Sequence, residues 1–471
     1  MRRRGRIGVS LALVSLIALL IAVAVPRLGD TFSGPLVRDV ALDQQPIGAR
    51  VDERGGRVFV LTANGSSGAL PDNSADPHGN GQVRVFDAAS GALVHVENAG
   101  YRPCAIVDAG HAGHVFVAYS GAATVTGAAL MLDAASGNLL RASPTGAAQC
   151  GAVPVVDQRR GRVFFGGSDD RLSTVDAYSG QLLHTERLSD ANGVSLAIDE
   201  RSGHVFAAPA DSGAVDVFDA VSGRRLHTIT LAGAHPPLSL LTDPQAGRLF
   251  IVDQTASTVS TVDTRNDAVI KVSSVAQTPM AWALDSEPAG GRLVVGGDNA
   301  LSGLDTRTGT VVHTLALGDR ATRILVDAAT RRAFVFSADH LGPTNDVYVL
   351  DTWTGKLVTS LALPGVPLDA ALDTRHDRLV VADQRGLIDI LDARTGRLIH
   401  AFETVPSTTA RVVIDDKAGR AFVLHGRGFV VARDHWAWMP AWLRTRVPFV
   451  PRQNVSYQGA PAGVTIVDDT R

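Results

Sequence analysis

The sequence predicts an all-β chain, a β-propeller of four-stranded antiparallel blades, and three observations carry that prediction. First, a unit of turn, strand, turn and strand recurs every ~42 to 49 residues between Val51 and Asp468, a period that fits propeller blades. Second, 45% hydrophobic and 19% charged residues supply a large core, while 47 glycines and 5% aromatics suit short strands joined by tight turns. Third, the ends complement each other. The last unit stops at Val464–Asp468 without an outer strand, whereas Pro35–Leu42 reads as an outer strand without a unit. Pairing the two would close the ring and remove an exposed edge.

Taken in order, the chain begins with Arg2, Arg3, Arg4 and Arg6 ahead of an uncharged run from Ile7 to Val25. At ~1.5 Å per residue that run makes about 28 Å of helix, close to a bilayer core. Residues 1–27 therefore read as a single-pass membrane anchor with its N-terminus in the cytoplasm, and residues 28–34 as a linker. The competing reading is a signal peptide ending near Ala22-Val23-Ala24. In both, residues 35–471 are extracytoplasmic, either at the cell membrane or secreted or periplasmic.

The units are marked by nine first-turn aspartates (Asp52, Asp108, Asp157, Asp199, Asp243, Asp285, Asp327, Asp373, Asp415) and nine second-turn aspartates (Asp87, Asp133, Asp176, Asp219, Asp263, Asp305, Asp351, Asp392, Asp468). Such an Asp caps its own turn by accepting backbone N–H groups, and a Gly four residues later, as at Gly223, supplies positive φ. Asn266-Asp267 replaces that ending in the fifth unit. Runs such as Leu249–Val252 and Val347–Leu350 are apolar on both faces, which requires sheets stacked on either side. A literal count gives nine blades. Eight with one irregular unit is the alternative, because propellers usually have four to eight.

Units such as Gly247-Arg248-Leu249-Phe250-Ile251-Val252-Asp253 followed by Thr258-Val259-Ser260-Thr261-Val262-Asp263-Thr264 resemble the YVTN-type repeat of YncE-like propellers, and the resemblance runs from Leu36 to Asp468. It implies blades, not a reaction: proteins with such blades include surface-layer-like binding proteins, lactonases and propeller subunits of quinoprotein dehydrogenases.

Two loops between second and third strands are enlarged, residues 62–81 in unit one and 425–463 in unit nine. Ring closure makes these units neighbours, so both insertions rise from one face beside one seam. The second holds Arg433, His435, Trp436, Trp438, Trp442 and Arg444, three of the five tryptophans in the chain. Tryptophan with flanking arginine is the residue mix of interface anchors, so these six are the candidate ligand- or partner-binding residues. A lid packing its own aromatics onto the propeller, or a lipid contact, would use the same residues.

Cys104 and Cys150 each shortly precede the first strand of neighbouring units, which makes them a candidate disulfide in an oxidising compartment; two separate small buried residues are the alternative. His184, His227, His313 and His400 recur in outer strands and read as rim residues, while His235 precedes Pro236-Pro237 in a crossover loop. Asp169, Asp170, Asp211, Asp253, Asp298, Asp339 and Asp383 recur between second and third strands, where solvated turn chemistry outweighs a ring holding a hard cation. The sequence contains no Walker-type phosphate loop, no His-Glu-x-x-His and no Gly-x-Ser-x-Gly. A formal charge of -3 without long runs gives no basic field for nucleic acid. The expectation is a binding platform for a protein or cell-surface ligand, with no catalytic residue, metal or cofactor assigned. An extracytoplasmic enzyme of lactonase-like or quinoprotein dehydrogenase-like type is the alternative.

Overall fold

Each repeat folds as an antiparallel sheet whose four strands follow chain order from the inner edge to the rim. In blade 4 these are Val194–Asp199, His204–Pro209, Ala214–Asp219 and Arg225–Thr230. Among the described residues there are nine such sheets, so the literal count holds and the eight-bladed alternative falls. The computed structural model describes residues 37–63, 81–119, 128–145, 153–167, 170–189, 193–276, 278–287, 290–337, 345–363, 365–404, 407, 410–426, 428–431, 457–460 and 462–468. All of them fall within one compact unit, Leu36–Thr470.

The ring closes as its ends require. Blade 9 takes its first three strands from Ala410–Asp415, Arg420–His425 and Ala462–Asp468, and its outer strand from Val37–Leu42. That outer strand pairs in register from Val37 opposite Val467 to Leu42 opposite Ala462, and the Thr465 hydroxyl donates to Asp39 Oδ1 at 2.5 Å. Leu42, Ala49, Val58, Val60 and Phe86 pack with Phe422, Leu424, Val464 and Ile466 in one buried cluster across the seam. The edge that Val464–Asp468 would otherwise expose is thereby paired.

Second strands are apolar on both faces because each face meets a different blade. Leu249 and Ile251 join Phe206, Val215 and Val217 of blade 4, while Phe250 and Val252 join Leu293, Val295 and Leu304 of blade 6. Burying each such side chain stabilises the stack by about 1.5–3 kcal/mol.

The turn chemistry is local and repeated. Asp219 Oδ1 accepts the Ser222 N–H at 2.7 Å and the Ser222 hydroxyl at 2.6 Å. In blade 1 the equivalent Ser90 hydroxyl, followed by its N–H, holds the Asp87 carboxyl below the usual carboxylate range. The first residue of the second strand then clamps the same carboxylate: Arg57 to Asp87 at 2.6 Å, Arg162 to Asp176 at 2.6 Å, Arg292 to Asp305 at 2.9 Å. The turn glycines have a second reason besides positive φ. A Cβ on Gly355 (φ 66°) would lie 2.2 Å from the His313 ring of the preceding blade, so outer-strand histidines pack beneath the next blade's turn.

One expectation is corrected. In blade 2 Ala109, not Asp108, pairs with the first residue of the second strand, His114, as Asp199 pairs with His204 in blade 4. Asp108 is therefore not a first-turn cap; strand alternation turns it to the other face of the inner strand.

Candidate functional site

Blades 1 and 9 are neighbours, so both insertions leave the ring beside one seam. Thr62 and Ala63 complete the second strand of blade 1 (Arg57–Ala63) and Gly81 opens its third, so that loop is 64–80, not 62–81, and lies outside the described residues. The blade 9 insertion leaves the sheet as a two-stranded ribbon, Gly428–Val431 paired with Tyr457–Ala460. Arg433, His435, Trp436, Trp438, Trp442 and Arg444 belong to the segment this ribbon subtends and lie outside the described residues. The feet of both insertions, Thr62 in blade 1 and His425 in blade 9, are buried and polar. The Thr62 hydroxyl donates to Gln44 Oε1 at 2.8 Å, and burial, against the opposing charge of Asp39, lowers the pKa of His425.

Beneath the same seam the inner strands carry a charged arc over five consecutive blades. Arg323 of blade 7 forms an ion pair with Asp369 of blade 8, whose other oxygen accepts the Val412 N–H of blade 9 at 2.8 Å. Burial raises the Asp369 pKa despite Arg323. Next come Arg411 of blade 9, Arg50 of blade 1 and Asp108 of blade 2. Asp108 is pushed up to about 6, by burial first and the charge of Asp52 second, with Arg54, Arg50 and His111 opposing. Its Oδ1 is buried without a partner among the described residues. At the level of Arg411 the other blades present Val153, Ser195, Ser239 and Ala281. The charge is thus confined to the wall below the two insertions. Sequence reasoning missed this arc; its signal was arginine on inner strands where other units carry small or aliphatic residues.

Of the carboxylates expected between second and third strands, Asp169 and Asp339 lie outside the described residues. Asp253 and Asp383 are buried strand ends, not solvated loop residues. Asp253 accepts the His235 N–H and the Ala256 N–H, each at 2.7 Å, and Asp383 accepts the Leu387 N–H at 2.7 Å. His235 is thereby tied through its backbone to the second strand of blade 5. The described residues hold no group of three or more His, Cys, Asp or Glu placed to bind a metal ion. Cys104 is half-buried with Sγ 3.6 Å from the Ala118 carbonyl oxygen, and Cys150 lies outside the described residues.

A row of polar side chains, three residues before the closing Asp of third strands other than that of blade 2, where Leu130 stands, anchors crossovers between blades. The Ser173 hydroxyl donates to Thr145 O at 2.9 Å, Asp216 accepts the Ser189 hydroxyl at 2.8 Å, and Ser302 Oγ accepts the Ala276 N–H at 2.9 Å. Two polar members of the row are not tied in this way. Ser260 lines a cavity of about 290 Å³ with Leu231, Ala234, Leu238, Ile251 and Asp253. The Asp389 carboxyl has no hydrogen bond among the described residues and is pushed up to about 6, by burial first and Asp383 second. Blade 4 departs at the rim: His204 replaces the clamping Arg, and Asp267, in the turn-glycine place of blade 5 with φ 56°, lies 3.2 Å from His204 Nδ1 and 3.2 Å from His227 Nε2.

With that geometry in view, the comparisons are specific about the fold. The family model described as outer membrane protein assembly factor BamB matches residues 79–286, less than half of the chain. The propeller is thus related in its four-stranded blades to BamB-type propellers. The computationally designed Ika8 protein is similar with a TM-score of 0.51 at 18% identity, over 69% of this chain and 93% of that one. Dihydro-heme d1 dehydrogenase NirN, in complex with DHE, gives 0.52 at 14% identity, over 73% of this chain and 77% of that one. At those identities the likeness is one of fold. No curated protein matches the sequence.

Proposed function

We propose that the chain is an extracytoplasmic propeller that serves as a binding platform for a protein or cell-surface ligand, with its docking face at the seam between blades 1 and 9. One observation carries the reading: the largest insertion leaves blade 9 as a hydrogen-bonded ribbon, Gly428–Val431 with Tyr457–Ala460, beside the loop 64–80 of blade 1. A ribbon extends a rigid sheet outward, which is how a scaffold presents a recognition segment. Arg433, His435, Trp436, Trp438, Trp442 and Arg444 are the contact residues in this reading. The match of residues 79–286 to a model named for an assembly factor supports a scaffold role outside the cytoplasm. We further read residues 1–27 as a retained single-pass anchor and the blades as YVTN-type repeats. Among the described residues no helix is long and apolar enough to cross a membrane, and Ile7–Val25 lies outside them.

The double substitution Trp436→Ala, Trp438→Ala tests the platform. It should leave the melting temperature of the solubilised chain unchanged while dissolving the higher-mass complex the chain forms in native gels of its own membranes. A lowered melting temperature with the complex intact would make those rings packing core and refute the reading.

A further inference from the structure

The crossover from blade 4 to blade 5, residues 231–237, is longer than residues 317–320 between blades 6 and 7, and it does not close over the polar row as its equivalents do. Before blade 4 the Ser189 N–H donates to Asp216 at 3.2 Å, and before blade 6 the Ala276 N–H donates to Ser302 at 2.9 Å. Ala232 holds the corresponding place before blade 5, two residues past the outer strand. Yet the Ser260 side chain, 6% exposed, makes no hydrogen bond among the described residues. Two contacts hold the crossover away from it. Ala234 leans on Gly213 of blade 4, where a Cβ would lie 2.9 Å from the Ala234 carbonyl oxygen, and the His235 N–H donates to Asp253 Oδ2 at 2.7 Å. The cavity of about 290 Å³ between this crossover and blade 5 is therefore set by the path of the chain.

Its walls are aliphatic, with Leu231, Leu238 and Ile251 inside and Val272, 56% exposed, at the mouth. An apolar cavity of about 150 Å³ already takes up benzene, so this one has room for a molecule of roughly twice that size. Its polar groups share one face of blade 5. Ile251 pairs with Ser260 and Asp253 with Thr258, and strand alternation turns these four side chains toward blade 4, where Ile251 packs. Asp253 is 4% exposed, and its oxygens accept the His235 N–H and the Ala256 N–H, each at 2.7 Å. Among the described residues no Arg or Lys pairs with it; the His235 ring, itself 58% exposed, lies 3.7 Å away. A carboxylate oxygen accepts two hydrogen bonds, so each oxygen of Asp253 retains an acceptor position. A buried carboxylate without a strong cationic partner favours a charged donor.

We propose that this cavity binds a small alkylammonium ion, its hydrocarbon body against Leu231, Leu238, Ile251 and Val272 and its ammonium donating to the Asp253 carboxylate and the Ser260 hydroxyl. The inference does not depend on the partner reading, since the cavity lies between blades 4 and 5 and not at the seam.

The test is calorimetric titration of the full chain in lipid nanodiscs with n-hexylammonium, against 1-hexanol and hexanoate, with titrations into protein-free nanodiscs subtracted. Hexylammonium should bind saturably at one site per chain, on the order of 10- to 100-fold tighter than hexanol, the gain from a charge-assisted pairing; hexanoate should not bind. Asp253→Asn should erase that preference while leaving hexanol binding in place, which separates loss of the charge from loss of the cavity. Ser260→Leu fills the cavity, so it should abolish hexylammonium binding and leave the melting temperature unchanged or higher. Ser302→Leu, which strands the Ala276 N–H, should instead lower the melting temperature and keep the binding. No saturable binding of hexylammonium by the wild type, equal binding of hexanol, or binding retained in Ser260→Leu would overturn the proposal. A lowered melting temperature for Ser260→Leu would also overturn it, because Ser260 would then be packed like the rest of the row.

Discussion

Leu42→Ala probes the closure of the ring at one side chain. Val37–Leu42 is the only strand of blade 9 that comes from the N-terminal end, and it is held by one ladder to Ala462–Asp468 and by Leu42, which is 4% exposed in the seam cluster. Truncating a buried leucine to alanine removes its transfer free energy and leaves a cavity, together about 3 kcal/mol. The strand is at the rim and paired on one side, so it can open without unfolding the other blades. The substitution should therefore raise hydrogen exchange locally. A loss of about 3 kcal/mol corresponds to roughly 100-fold faster exchange of amides in 37–42 and 462–468, with the amides of Arg248–Asp253 in blade 5 unchanged. Leu93→Ala, in an outer strand but 44% exposed, should change exchange by less than about threefold. Unchanged exchange at 462–468, or an equal rise in every blade, would refute the argument that this strand is the closing element.

Three further outcomes follow from particular groups. Asp267→Gly restores the turn glycine and removes the partner of His204, whose pKa is raised by its hydrogen bond to Asp267 against the effect of burial. That contribution to stability is present below the unfolded histidine value and lost as pH rises through the folded one. The substitution should therefore destabilise at pH 5.5, by about 1 kcal/mol in urea unfolding, and be neutral or stabilising at pH 8. Asp389→Asn should stabilise at pH 7.5 by on the order of 2 kcal/mol and have little effect at pH 4, because a carboxyl raised to about 6 costs stability only where it must ionise. If Cys104 and Cys150 are bonded, the intact mass of the chain under non-reducing denaturation is lower by two hydrogen atoms than after reduction; equal masses would leave both as thiols.

What the sequence shows about this protein is the part written in short-range chemistry. Asp219-Ala220-Val221-Ser222-Gly223 announces its turn because the carboxylate, hydroxyl and positive-φ glycine act within five residues. Leu249–Val252 announces a strand buried on both faces, and the unmatched Val37–Leu42 announces closure. Asp108 was misread because it sits one residue further from His114 than Asp199 does from His204; that extra residue was the signal of a shifted register. The arc Arg323, Asp369, Arg411, Arg50 and Asp108 was illegible for a different reason. Its members are spread over the whole chain, and only the order of blades around the ring and the alternation along each inner strand place them side by side. The blade 9 insertion could be located from its length, yet the hydrogen-bonded ribbon at its foot depends on a pairing of Gly428–Val431 with Tyr457–Ala460 that no local motif announces.

The central claim, that the seam face is the docking face, is tested most directly by site-specific photo-crosslinking in the native membrane. A crosslinking side chain at Trp438 is compared with one at Thr308, in a blade 6 turn between third and outer strands on the opposite face. The account predicts one discrete adduct from Trp438 and none from Thr308. Adducts from Thr308 alone, or the same adducts from both positions, would contradict it.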